Sequence, residues 1–256
     1  MALRFAELGA TLSLSGRREE PLKSTVDEIR DSGGSAGWHA CDVRDSAGVD
    51  SALDALVEQN GPLDSLVNNA AGNFLCPAEE LSDNGFNAIV DIVLKGSFHC
   101  TRAAGRHWIK TRRPGSVLSI VTPYAWTGSA FVMPSAVAKA GVVTMTRSLT
   151  AEWARHKIRL NAIAPGPIPT EGAFSRLLPD DSLIGDVVKK IPAGRLGEPE
   201  ELAELAAFLL SPAAGWIYGE VVTLDGGESI RRGGSFNDLV DLPESAWEQL
   251  RSRAKR

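Results

Sequence analysis

The chain has 256 residues, of which 43% are hydrophobic, and a formal net charge of −5. That length and apolar share can bury one large core, so a single α/β domain is expected rather than two small ones, and the scattering of basic residues among acidic ones excludes nucleic acid as the main partner. Cys41, Cys76 and Cys100 lack metal-ligand spacing, the four histidines are equally dispersed, and no apolar run is long enough to span a bilayer, so the expectation is a soluble cytoplasmic protein with reduced thiols, no membrane contact and no metal site.

Met1 to Ala10 reads as an amphipathic helical segment. After it, β-rich runs at Thr11 to Ser15, Gly37 to Val43, Asp64 to Asn69, Gly115 to Val121, Arg159 to Ala164 and Glu220 to Asp225 read as strands. Between them, Glu19 to Ser32, Ser46 to Gln59, Pro77 to Arg112, Pro134 to His156 and Glu198 to Ser211 read as helices, with Asp45 capping one start and Gly61 following its end. Strict alternation, with strands too apolar to face water, implies a parallel sheet covered on both sides. Such sheets bind ligands beyond the carboxyl ends of their strands. From Glu228 onward the chain carries Arg231-Arg232-Gly233-Gly234 and a helical pattern from Glu244 to Lys255, an appendage rather than a domain.

Small and glycine-containing turns close several of these strands: Asn68-Asn69-Ala70-Ala71-Gly72, Pro165-Gly166-Pro167 and Leu224-Asp225-Gly226-Gly227. Turns of this kind let a flat ligand press against the backbone, and several at successive strand ends converge on one crevice. Near the same end stands Tyr124, one of only two tyrosines, fifteen positions ahead of Lys139. A phenol with an ammonium group beside it is a ready proton or hydrogen-bond donor at neutral pH.

Asn68 to Gly72, the helix carrying Lys139, Asn161-Ala162-Ile163-Ala164-Pro165-Gly166, Gly194-Arg195-Leu196-Gly197 with Pro199-Glu200-Glu201, and Leu224 to Gly227 together resemble the short-chain dehydrogenase/reductase family. The resemblance implies a Rossmann-type, doubly wound parallel sheet, a nicotinamide cofactor and a homotetramer. It departs at Ser135, where the family carries a tyrosine four residues before the lysine, at Thr122, where it carries the hydroxyl thirteen residues ahead of that tyrosine, and at Val93, where it carries a helix asparagine.

One branch of that family, the 2,4-dienoyl-CoA reductases, is similar to this chain at those positions as well. The likeness lies in Asn73-Phe74 after the small-residue turn, Asp91-Ile92-Val93-Leu94, Tyr124-Ala125 followed by Pro134-Ser135 and Lys139, Gly172 to Arg176, and Phe236-Asn237-Asp238-Leu239. In that branch the tyrosine has moved to the strand end to reach a thioester oxygen, and the serine is its hydrogen-bonding partner. Hydride delivered to the far end of a conjugated dienoyl thioester pushes charge onto that oxygen, so donors aimed at it are what catalysis needs. Tyr124, Ser135, Lys139 and Thr122 are therefore the candidate catalytic residues, together with Lys95, which stands where the branch is read as carrying a second, asparagine donor.

For the cofactor, Ser15-Gly16-Arg17-Arg18 offers a hydroxyl and two guanidinium groups where an NAD enzyme places a carboxylate, which favours NADPH. By resemblance, Asp42 and Val43 bracket the adenine, Asn69, Ala70, Ala71 and Gly72 line the adenosine ribose side, Lys139 holds the nicotinamide ribose, and Pro165, Gly166, Ile168 and Thr170 flank the carboxamide. An acyl-CoA substrate would meet Asn73, Phe74, Trp126, Phe131, Met133 and Phe174. The resemblance also implies a first strand and a glycine-rich phosphate turn, whereas Met1 to Ala10 reads as the tail of the helix that follows them. The expectation is accordingly an N-terminally truncated reductase domain over 1–227, with its appendage over 228–256, and Met1 as an internal methionine of a longer protein. Loss of that turn would weaken NADPH binding, since each charge-assisted hydrogen bond contributes about 1.5–3 kcal/mol. Two other readings remain open: a catalytically silent, family-shaped subunit, and a carbonyl reductase of another substrate class.

Overall fold

The computed structural model describes residues 1–169 and 184–254. Six parallel strands form its centre: β1 (Thr11–Gly16), β2 (Ser35–Ala40), β3 (Ser65–Asn68), β4 (Gly115–Ile120), β5 (Ile158–Pro165) and β6 (Val221–Leu224). Among the described residues they make two sheets, β1 with β2 and then β3-β4-β5-β6, and no ladder joins β1 to β3. Helices cover both faces, as expected for a doubly wound arrangement. On one face lie α3 (Ser46–Asn60), α5 (Gly96–Thr111) and α7 (Met133–Trp153); on the other lie α1 (Ala2–Glu7), α2 (Glu19–Asp31) and α9 (Pro199–Leu210), which follows the short α8 (Ile184–Lys189) in the chain.

The period of two along the central strands explains this double cover. Val117 in β4 packs with Trp108, Trp153 and Leu160 on the α5 side, while its neighbour Leu118 packs with Leu209 and Ala214 on the other. Trp108 lies so close to β4 that a Cβ on Gly115 would stand 2.2 Å from its indole ring, so the sheet and α5 meet at that distance only because the residue is glycine. The two-stranded sheet is less covered than the sequence pattern implies. In β1, Thr11, Ser13 and Ser15 face water and the residues between them are only half-buried, so one face of that sheet is solvated.

Two expected elements differ in extent. The run read as one helix from Pro77 to Arg112 is a 3₁₀ turn (Ala78–Glu80), α4 (Asp83–Val90), a π-helical turn (Asp91–Lys95) and α5. Leu81 is extended, and the Ser82 side chain accepts from the Gly85 N–H, which starts a new helix at Asp83. The strand expected over Gly37 to Val43 begins at Ser35 and stops at Ala40. There the Asp42 carboxylate accepts the Arg44 N–H at 3.0 Å and its carbonyl accepts the Asp45 N–H at 2.9 Å, folding the chain into a local turn. Asp45 then caps α3 through the Ala47 N–H, and Gly61, at φ 88°, ends it.

The segment after β6 consists of α10 (Glu228–Gly233), a 3₁₀ turn (Asn237–Asp241) and α11 (Glu244–Ala254). None of these pieces buries a residue.

Candidate active site

The carboxyl ends of β3, β4 and β5 bring three segments together. β4 ends at Ile120, and Tyr124 opens the short helix α6 (Tyr124–Thr127) four residues later. α7 starts nearby, with Pro134 in its first turn, and exposes almost none of Ser135, which is 2% accessible. The Tyr124 hydroxyl lies 3.2 Å from Ser135 Oγ, and Asn73 Nδ2 donates to it, also at 3.2 Å. The Asn73 amide has one orientation, because its Oδ1 accepts the Phe74 N–H at 3.0 Å and leaves the NH₂ to face the phenol. With Asn73 donating into the phenol oxygen, the phenolic proton is free for Ser135 or for a ligand oxygen.

One turn beyond Ser135, Lys139 is 8% accessible and its ammonium donates to the Ile120 carbonyl at the end of β4. Burial lowers its pKa from 10.5 to about 8. A cation so nearly desolvated is placed to bind hydroxyl groups, whose oxygens would complete its hydrogen bonds. Asn68 anchors the neighbouring segment: its buried amide donates to Thr101 at 2.8 Å and to Ser119 at 3.3 Å, tying the end of β3 to α5 and β4. Asn69, Ala70 and Ala71 then run exposed along the mouth of the site, with Gly72 half-buried.

Other sequence-identified residues fall in two groups. Ser15, Arg17 and Arg18 stand exposed where β1 gives way to α2. Asp42 is held by Arg44 through three side-chain contacts of 2.5–3.0 Å; hydrogen bonding to Arg44 is also the main reason its carboxyl titrates below the usual range, with Arg17 adding a smaller attraction. The Val43 carbonyl meets His99 Nδ1 at 2.8 Å. Across the site, a cavity of about 150 Å³ is lined by Gly166, Pro167, Ile168, Arg195, Gly197 and Asp225 among others. A Cβ on Gly166 would stand 2.8 Å from the Asp225 backbone, so the two turns approach this closely only because residue 166 is glycine.

Lys95 is not brought to Tyr124. Its Nζ pairs with Asp91 Oδ1 at 2.7 Å along the π turn, and 61% of its side chain is exposed. Thr122 contributes a backbone carbonyl to the Ala125 N–H, and Val93 is fully buried in the core. Trp126, Phe131, Met133 and Phe74 are all exposed around the phenol-bearing loop. Thr170 and Phe174 lie outside the described residues. What sequence reading missed is the contact of Asn73 with Tyr124; the one signal was an amide directly after a glycine turn, and nothing in spacing links positions 51 residues apart. Among the described residues, no cluster of His, Cys, Asp and Glu is arranged to hold a metal ion, and no helix is long and apolar enough to cross a membrane.

Residues 1–229 match a family model described as enoyl-(acyl carrier protein) reductase. An uncharacterised oxidoreductase of Caenorhabditis elegans is 50% identical over 255 residues, covering 97% of this chain and 82% of its own. A protein of Bacillus subtilis named as a probable 2,4-dienoyl-CoA reductase is 45% identical over 229 residues, covering 89% of this chain and 90% of its own. Among solved structures, a short chain dehydrogenase from Bacillus anthracis aligns with a TM-score of 0.81 and 42% identity, covering 89% of each chain.

Proposed function

The chain belongs to the short-chain dehydrogenase/reductase family, and within that family of oxidoreductases we propose that it reduces 2,4-dienoyl-CoA or related enoyl-CoA thioesters with NADPH, as a step of fatty acid beta-oxidation. The observation that carries this reading is the convergence of Asn73 and Ser135 on the Tyr124 hydroxyl. A carbonyl reductase acting on an isolated ketone needs an acid beside the carbon that is reduced. Here the acid sits at a strand end with two hydrogen-bonding side chains behind it, an arrangement suited to an oxygen that gains charge far from the reacting carbon.

The residues present fit a dinucleotide. The turns at Gly166 and Asp225 line a cavity of about 150 Å³, and Lys139 is a nearly buried cation that among the described residues donates to a single carbonyl. Ser15, Arg17 and Arg18 would take the 2′-phosphate, Asp42 and Val43 the adenine, Asn69 to Gly72 the adenosine ribose side, Lys139 the nicotinamide ribose, and Pro165, Gly166, Ile168 and Thr170 the carboxamide. The hydride would come from NADPH held by these residues. Tyr124 then gives its hydrogen bond to the thioester oxygen, Ser135 and Asn73 hold the phenol in that orientation, and Asn73 takes the second-donor place first assigned to Lys95. Phe74, Trp126, Phe131 and Met133, with Phe174, would enclose the acyl chain.

Turnover of a 2,4-dienoyl-CoA, followed by NADPH absorbance, is the direct test. Tyr124→Phe should lower kcat by about 10²-fold or more; unchanged turnover would remove Tyr124 from the mechanism. The separation of β1 from β3 favours a second reading, in which the chain binds acyl-CoA as a silent family-shaped subunit. Titration with NADPH, read by its fluorescence, separates the two: saturable binding supports the reductase, and absence of binding supports the silent subunit.

A further inference from the structure

Three non-glycine residues among those described hold a positive φ: Arg112 at 54°, Lys157 at 61° and Phe131 at 64°. Two of them have a local reason. Arg112 follows α5 and Lys157 follows the 3₁₀ turn Ala154–His156, and a left-handed residue commonly closes a last helical turn. Phe131 ends no helix. It follows the loop Gly128-Ser129-Ala130 and precedes α7 by two residues. An aromatic side chain in this conformation is disfavoured sterically, and glycine would adopt it without strain. Burial does not offset that cost, because Phe131 is 58% exposed.

Tertiary contacts hold it there. The Phe131 carbonyl accepts the Cys76 N–H at 2.9 Å, and Asn73 donates to Tyr124 at 3.2 Å. These two rungs join the strip 73–76 to the strip 124–131. The second strip is longer by four residues, and it takes up the excess as α6 and the loop from Gly128 to Ala130. Trp126 and Phe131 are both exposed on this longer strip, which begins at Tyr124 itself. Strain that persists at an exposed position beside a reactive group points to function rather than folding.

We propose that Phe131 determines acyl-chain specificity: its left-handed backbone keeps the ring at the mouth of the site, where it packs on the acyl chain of a thioester whose oxygen is held by Tyr124. This rests on the thioester reading above, and it adds the residue that senses chain length. Trp126, Met133 and Leu75, all exposed nearby in sequence or across the rungs, are the other apolar surfaces such a chain can reach.

The test uses Phe131→Ala and Phe131→Gly, with calorimetric titration of saturated acyl-CoAs from butanoyl to hexadecanoyl into NADPH-loaded protein, and thermal melts of each variant. In the unaltered protein, affinity should rise with chain length. Both variants should lose roughly tenfold for the longest chain and under about twofold for the shortest, as expected when an apolar contact to part of a ligand is removed. Phe131→Gly should melt about 2–4 °C above Phe131→Ala, because only glycine relieves the backbone. Uniform loss at every length, an unaltered length dependence in both variants, or a glycine variant no more stable than the alanine variant would overturn the proposal. Failure of the catalytic reading is distinguishable: a protein that binds acyl-CoAs with graded affinity but reduces no dienoyl-CoA would sink the reductase proposal and leave Phe131 judged on binding alone.

Discussion

Lys139 shows how one side chain sets stability against function. Burial lowers its pKa to about 8 from 10.5, so the unfolded chain binds the proton more tightly than the folded one. Below pH 8 both states are protonated and the folded protein carries a penalty of about 3 kcal/mol, taking 1.36 kcal/mol per pKa unit. Between pH 8 and 10.5 the unfolded state alone holds the proton, so stability rises with pH and the penalty fades. Lys139→Met should therefore be more stable than the unaltered protein near neutral pH by up to about 3 kcal/mol, with the difference shrinking toward pH 10.5, and should lose reductase activity. Urea melts at pH 7.5 and pH 10 check this; a difference that does not change with pH would refute it. At this scale Tyr124, Ser135 and Lys139 were legible in the sequence because helical spacing and a family motif place them, whereas Asn73 was legible only as a loop amide. Its partner is fixed by how two strand ends face each other.

Elements differ in how far their ends follow from local chemistry. α3 was readable at both ends, since an Asp cap and a positive-φ glycine act on adjacent residues. The break within the run from Pro77 to Arg112 was not, although Leu81-Ser82-Asp83 contains a capping residue; apolar periodicity continues through it, and only packing chooses between a continuous and an interrupted helix. The end of α9 depends on a distant residue. Arg159, buried in β5, donates to the carbonyls of Leu209, Leu210, Ser211 and Ala214 at 2.8–3.2 Å, occupying acceptors that the helix end leaves open. Arg159→Ala should destabilise the fold by about 3 kcal/mol or more, because four carbonyls, two of them in buried contacts and two half-buried, would lose their donor at once. Chemical denaturation measures the loss; a change under about 0.5 kcal/mol would show that water replaces the guanidinium.

For the whole molecule, apolar side chains left at the surface bear on assembly. Trp216, Ile230, Phe236 and Val240 are all largely exposed, and the appendage that carries the last three buries no residue of its own helices. Single exposed apolar residues are ordinary, but this many on one short segment favours a partner surface. The expectation from family resemblance is a homotetramer, so light scattering should give a solution mass near four times 27.3 kDa, and Phe236→Glu with Val240→Glu should reduce it. A monomer mass in the unaltered protein would overturn that expectation. Alternation of strands and helices, the apolar double-faced strands and the small residues at their ends follow from the sequence by itself, because period, propensity and turn chemistry act over a few residues. Tertiary structure alone decided that Asn73 rather than Lys95 meets the phenol, and that Phe131 is held in a left-handed conformation. Each of these depends on groups far apart in the chain meeting at one distance and angle, and no local pattern encodes such a meeting.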